Sequence, residues 1–324
     1  MHAWLCDNPT GVDALNWKEL PTPQPGPGEV LIDIKAASLN FPDLLIVQGK
    51  YQMKPTPPFV PGSEYAGVVQ AVGEGVHHLK PGQSVACLSG TGGFATHTIA
   101  NANLCLPLPK DFPFVDAAAF IMIYATSYHA LMDRAQLQAG ETVLVLGAAG
   151  GVGTSAIQIA KAAGAKVIAA ASTDEKCTLC TRLGADATIN YQRENLREAL
   201  KRLTDGKGPD VIYDPVGGEY TEPAFRSIAW RGRYLVIGFA AGPIPSLPLN
   251  LPLLKVASIV GVFWGEFARR EPEANQALMR DLLALYADGK IKPVIDRTMP
   301  MAELKAAFAH MGSRGVMGKL VMIN

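Results

Sequence analysis

The stretch Thr142-Val143-Leu144-Val145-Leu146-Gly147-Ala148-Ala149-Gly150-Gly151-Val152-Gly153 decides the architecture. Apolar strand-forming residues run into a glycine turn, and beyond it Val152, Ala156, Ile159, Ala160 and Ala163 recur at helical spacing. Strand, glycine turn and helix in that order is the context of a dinucleotide fingerprint. Glycine lets the backbone approach a pyrophosphate, and the helix N-terminus offers unpaired N–H groups with a favourable dipole. The spacing departs from G-x-G-x-x-G, because Ala149 stands where the second glycine would fall when Gly147, Gly150 and Gly153 are counted. Taken alone, the glycines also fit a purely structural turn; the β-α-β pattern around them favours a nucleotide.

Moving outward, strands are predicted at 166–171, 187–189, 210–214, 233–238 and 257–262, with helices over 174–183, 193–203 and 220–229 between them. Such alternation gives a doubly wound parallel sheet covered by helices, an α/β fold. Residues 114–134 read as one long helix. Before about residue 110, short β runs at 30–35, 67–72 and 84–88 are punctuated by Pro-Gly pairs at 25–26, 27–28, 61–62 and 81–82. Proline presets φ and glycine permits positive φ, so these are turns of a mostly antiparallel β domain. Helices over 272–287 and 301–311 and a strand over 319–323 close the chain.

Composition narrows the function. At roughly 100–200 residues per domain, 324 residues suggest two domains. With 29 Lys and Arg against 29 Asp and Glu, the formal charge is zero, which gives no attraction for nucleic acid or an anionic membrane. Five scattered cysteines read as reduced thiols and a cytoplasmic location rather than a disulfide framework. The first residues lack a signal-peptide pattern, and the apolar stretch 117–132 is too short and polar to span a bilayer. The expected partner is a small molecule.

The second strand selects the nucleotide. It ends in Ser172-Thr173 with Lys176 a turn later, where an NAD site usually carries a carboxylate for the ribose hydroxyls. Two charge-assisted contacts at ~1.5–3 kcal/mol each favour NADPH on the order of 10²-fold, before solvent screening. Asp174 fits a helix cap or first turn equally well. Tyr191 and Arg193 face either the adenosine phosphate or solvent.

Further segments carry a resemblance: Ser38-Leu39-Asn40-Phe41-Pro42-Asp43, Pro61-Gly62-Ser63-Glu64-Tyr65-Ala66-Gly67, the turn Ala148–Gly153, Tyr213-Asp214-Pro215-Val216-Gly217-Gly218 and Gly318-Lys319. Over essentially its whole length the chain resembles the zinc-independent quinone oxidoreductases of the medium-chain dehydrogenase/reductase superfamily, the ζ-crystallin-like NADPH:quinone reductases. The resemblance implies a GroES-like catalytic domain over 1–120, joined by 265–324, and a Rossmann domain over 121–264. It also implies an interdomain cleft and a homodimer joining Rossmann sheets edge to edge.

Zinc members of the superfamily bind the metal through an early Cys and a Gly-His-Glu segment. Here Asn40 and Ser63 stand at those positions. Cys87 and Cys105 do not make a four-cysteine lobe, and Cys177 and Cys180 lie on a predicted helix without a second pair. No metal is expected. Hydride from NADPH without a Lewis acid suits an acceptor already electrophilic, a quinone or α,β-unsaturated carbonyl.

By resemblance, Asn40 and Thr126 lie near the nicotinamide, and Tyr51 is a candidate donor to the substrate oxygen, though a loop aromatic is the competing reading. Gly150, Gly151 and Val152 take the pyrophosphate, and Ser172, Lys176 and Tyr191 the adenosine phosphate. Gly238, Phe239 and Ala240 lie by the nicotinamide ribose. Phe263 walls the pocket or packs in the core, and Lys319 reaches the cofactor or is a solvated charge. No histidine is assigned a role. Reduction of a 2-enoyl thioester or acrylate uses the same hydride geometry, with Arg269 and Arg270 either meeting a coenzyme A phosphate or solvated. An NADPH-binding sensor or accessory protein is the non-enzymatic alternative.

Overall fold

In the computed structural model, which describes residues 1–324, the strand Thr142–Leu146 lies inside a six-stranded sheet. The sheet order is Ala187–Asn190, Lys166–Ala171, Thr142–Leu146, Val211–Asp214, Arg233–Val236, Ser258–Gly261, all parallel. Val143 pairs with Val167 on one side and Val211 on the other. Its neighbours Leu144 and Val145 are likewise fully buried, as expected for a strand covered on both faces. Leu144, Leu146, Ile168 and Ile212 join Leu196, Leu200, Phe225 and Ile228 in one apolar core. The chain progresses outward in both directions from Thr142–Leu146, so the switch point falls between it and Val211–Asp214.

This sheet and its helices form the unit 123–294; the second unit is 1–122 with 295–324. The return to the first unit begins at Ile295 rather than at 265. Residues up to 294 are held by the Rossmann unit through Gln158, whose side chain accepts from Lys292 N at 2.7 Å and donates to Lys292 O at 3.0 Å. Asp281 accepts from the Tyr128 hydroxyl at 2.9 Å, which anchors the helix Pro272–Ala287 to the same unit.

The first unit is a sheet in the order Ile295–Pro300, Lys319–Ile323, Glu29–Ser38, Glu64–Val72, Ser84–Leu88, Cys105–Pro107, with His97–Asn101 also on Glu29–Ser38. All pairs are antiparallel except Ile295–Pro300 with Lys319–Ile323. Val321 lies opposite Ser38 and Ser38 opposite Glu64. These two registers bring Ser38, Glu64 and the start of the closing strand, at Lys319, to one end of the sheet.

The single helix expected over 114–134 is broken into Phe114–Ala118 and Ile121–Tyr128, with a wider π turn over His129–Arg134. At the break the Met122 N–H donates to Glu64 Oε1 at 2.9 Å, so a buried carboxylate takes a donor from the start of the second helix. No helix is long and apolar enough to cross a membrane.

Candidate active site

The expected site residues fall into two clusters, one in each unit. In the Rossmann unit, Gly147 has φ of +57°, the left-handed region that glycine enters freely. A Cβ on Gly153 would lie 2.5 Å from Gly147 O and 2.7 Å from Ala148 C, so only glycine allows the helix to start this close to the turn. Gly150 precedes the helix Gly151–Ala162 and supplies no side-chain cap. The N–H groups of Gly151, Val152 and Gly153 are therefore the unpaired donors of a first helical turn. Ser127 ties this turn to its surroundings, bonding Val152 O at 3.1 Å, Ser155 Oγ at 2.8 Å and Tyr213 Oη at 2.8 Å. Thr126, beside it on the same helix, is half-buried.

The turn after Val211–Asp214 closes the other side of the switch point. Asp214 accepts from Val216 N at 2.7 Å, Gly217 N at 2.8 Å and Thr221 Oγ1 at 3.1 Å, and from the Tyr234 hydroxyl. The buried carboxylate next to it pushes the Tyr234 phenol above its usual range, after the larger effect of burial. Ala240 N donates to Pro215 O at 3.1 Å, and Gly238 N to Asp214 O at 3.3 Å. Val216 Cγ2 lies where a Gly147 Cβ would meet it at 2.7 Å. The fold thus gathers the glycine turn and Gly238, Phe239 and Ala240 at one end of the sheet.

Ser172 follows the strand Lys166–Ala171, and Lys176 Nζ donates to its Oγ at 3.3 Å. Asp174 does not stand free: it pairs with the Arg193 guanidinium and accepts from Asn190 Nδ2 at 2.6 Å. The Tyr191 ring lies 4.5 Å from that of Tyr220. Phe263 is 63% exposed beside the edge strand Ser258–Gly261, so within its unit it is no core residue.

In the other unit, Asn40 precedes the helix Phe41–Val47, and Asp43 accepts its N–H at 2.8 Å in a capping contact. Asp43 also accepts from Ser63 N at 2.9 Å. Burial pushes its carboxyl up to about 6, against those N–H groups and Lys319. Glu64 Oε2 accepts from Ser38 Oγ at 2.9 Å and Asn40 Nδ2 at 3.0 Å. Lys319 donates to Leu39 O at 2.9 Å and to Asn40 Oδ1, and stands 3.6 Å from Glu64 Oε2. It is 3% exposed, so it is not a solvated charge. Burial drives its pKa below the usual lysine range while Glu64 and Asp43 oppose the shift. Tyr51 is half-buried, and burial followed by the charge of Asp43 holds its phenol above the usual value.

Residues 26–110 match the family model described as alcohol dehydrogenase GroES-like domain, and residues 151–282 the one described as zinc-binding dehydrogenase. Quinone oxidoreductase-like protein 2 of Bos taurus is 38% identical over 93% of this chain and 87% of its own length. The chain belongs to the quinone oxidoreductase family of the medium-chain dehydrogenase/reductase superfamily. The Escherichia coli quinone oxidoreductase complexed with NADPH superposes with a TM-score of 0.93 at 29% identity, covering 100% of both chains. The CurK enoyl reductase gives 0.89 at 28% identity, over 99% of each. The fold is thus the GroES-like and Rossmann pair of this family.

Sequence reasoning named Asn40, Tyr51 and Lys319 but gave no role to Asp43, Glu64 and Ser38. A signal for Asp43 was present in the Asn40-x-x-Asp43 spacing of a capping pair; Ser38 and Glu64 become partners only through strand register.

Proposed function

We propose that the protein is an NADPH-dependent reductase that transfers hydride to a quinone or an α,β-unsaturated carbonyl without a metal ion. The observation that carries the reading is the uncapped helix start at Gly150–Gly153 followed, one strand on, by Ser172 and Lys176 with the nearby Asp174 already paired to Arg193. Donors for a pyrophosphate and a cation for a 2′-phosphate are both in place, which is the fit an NADP nucleotide requires.

When bound, NADPH supplies the hydride. The residues Gly150, Gly151 and Val152 hold its pyrophosphate, Ser172, Lys176 and Tyr191 its adenosine phosphate end, and Gly238, Phe239 and Ala240 its nicotinamide ribose. Thr126 and Asn40 orient the nicotinamide end, Phe263 walls the acceptor site, and Tyr51 donates to the acceptor oxygen. The reading without metal is supported by Asn40 and Ser63 at the positions noted above, and no three His, Cys, Asp or Glu side chains converge as a metal site. The relatives' names support quinone as acceptor, and the CurK neighbour supports an enoyl thioester as the second reading. Arg269 and Arg270 both bond Glu266 and so are already partnered, which counts against a coenzyme A phosphate there.

A homodimer through the Rossmann sheet belongs to the same proposal. Ser258–Gly261 is one edge strand of the sheet; Ile259 on it, and Leu249, Leu253 and Leu254 shortly before it in the chain, are exposed apolar side chains. Light scattering on the protein and on Ile259→Lys tests it, with a dimer expected for the first and a monomer for the second. For the reaction, benzoquinones, enones and enoyl-CoA esters are compared at fixed NADPH. Turnover is expected first with quinones or enones, and none with any acceptor would leave the sensor reading in its place.

A further inference from the structure

An asparagine amide is nearly symmetric in shape, so what fixes its oxygen and nitrogen is the chemistry of its partners. At Asn40 those partners are opposite charges. Oδ1 accepts from the Lys319 ammonium, while Nδ2 donates to Glu64 Oε2 at 3.0 Å. Turning the amide over would set donors against the ammonium and an acceptor against the carboxylate. Nδ2 carries a second hydrogen, and no acceptor within the unit takes it.

Lys319 is an expensive way to hold one amide. A buried ammonium loses its hydration and persists only when paired and hydrogen-bonded. Three strands cooperate to keep it: Val321 opposite Ser38 and Ser38 opposite Glu64 set the register that delivers it. The charged groups that face it are Glu64 and Asp43. Every polar contact it makes lies inside the unit, on Leu39 O, Asn40 Oδ1 and Glu64. Its ammonium is thus committed to these three partners, of which Asn40 is the one with a hydrogen left to donate. A cation at the amide oxygen also draws electron density from the nitrogen, which strengthens the remaining N–H as a donor.

We propose that Lys319 is a positioning residue that, with Glu64, makes the free N–H of Asn40 a fixed, polarised donor for the substrate oxygen that gains negative charge on reduction. This rests on the reductase reading above, with Asn40 at the reacting end. A prearranged donor of this kind acts on the charge that develops during reaction and hence on kcat.

The test compares the protein with Lys319→Met, Lys319→Ala and the double variant Lys319→Met/Glu64→Gln. Turnover is read with 1,4-benzoquinone and with an enone, and NADPH affinity by nicotinamide fluorescence. The proposal expects kcat to fall by up to about 10²-fold, the effect that outright loss of such a donor would have, with the NADPH Kd essentially unchanged. Propylammonium should restore part of the kcat of Lys319→Ala. The double variant removes both charges and so avoids a lone buried carboxylate; it should fold and keep the kcat defect. Independently of turnover, the Asn40 side-chain amide resonance, assigned by its loss in Asn40→Asp, should shift in Lys319→Met. An unaltered kcat in Lys319→Met, or a loss confined to NADPH affinity, would overturn the proposal while wild-type turnover keeps the reductase reading. A wild type inactive with every acceptor would remove that reading itself.

Discussion

The guanidinium of Arg193 closes on the carboxylate of Asp174, so this acidic group, which stands between Ser172 and Lys176, is already neutralised. Left alone, that carboxylate would repel a 2′-phosphate. Arg193→Ala should raise the KM for NADPH several-fold and leave that for NADH nearly unchanged. The effect is modest because the pair is exposed, where ion pairs contribute up to ~1 kcal/mol. Adding Asp174→Asn should return most of the loss, and the four-variant cycle of KM values checks it.

Lys176 is the cation with the larger expected effect. Its Nζ bonds Ser172 Oγ at 3.3 Å, which holds both groups at the end of the second strand. Lys176→Ala should raise the KM for NADPH by about tenfold or more, the worth of one charge-assisted contact at ~1.5–3 kcal/mol. NADH should be affected little, and steady-state titration of the two nucleotides checks the difference.

Gly153→Ala tests the turn. The new Cβ would meet Gly147 O at 2.5 Å and Ala148 Cα at 2.7 Å, and these are backbone atoms that cannot swing aside. The strand-to-helix approach must open, which should cost about 1–3 kcal/mol of stability, as overpacking does. A lower thermal midpoint and weaker NADPH binding are expected together, read by calorimetry and fluorescence titration.

Asp43 makes stability depend on pH. Its carboxyl is raised in the folded chain to about 6 from an ordinary 3.8, so the folded state holds the proton more tightly than the unfolded one. The stabilisation this provides is complete below the unfolded value and is lost as pH rises through about 6. Asp43→Asn should remove that slope between about pH 4 and 6. Denaturant melts of both proteins across that interval measure it.

What was legible in the sequence follows from locality. The run Thr142–Gly153 and the alternation after it fix strands and helices within a few residues, because periodicity and turn chemistry act over one element. The break at Ala119–Phe120 was not legible: it comes with a bond from Met122 N to Glu64, 58 positions away. The placement of 265–294 depends on Gln158 reaching Lys292, a separation of 134. The same holds at the candidate site. Asn40 could be named from its own segment, whereas the burial of Lys319 requires the closing strand to return beside residue 38, a matter of register rather than of local pattern.

The most direct test of metal-independent hydride reduction is an anaerobic single turnover of chelator-dialysed protein, mixing its NADPH complex with 1,4-benzoquinone and following the nicotinamide absorbance. Rapid loss of absorbance matched by hydroquinone formation, slowed by deuterium at the transferred position and unaltered by chelation, is the predicted result. Absorbance that persists with quinone and enone alike, or a reaction that appears only after zinc is restored, would contradict it.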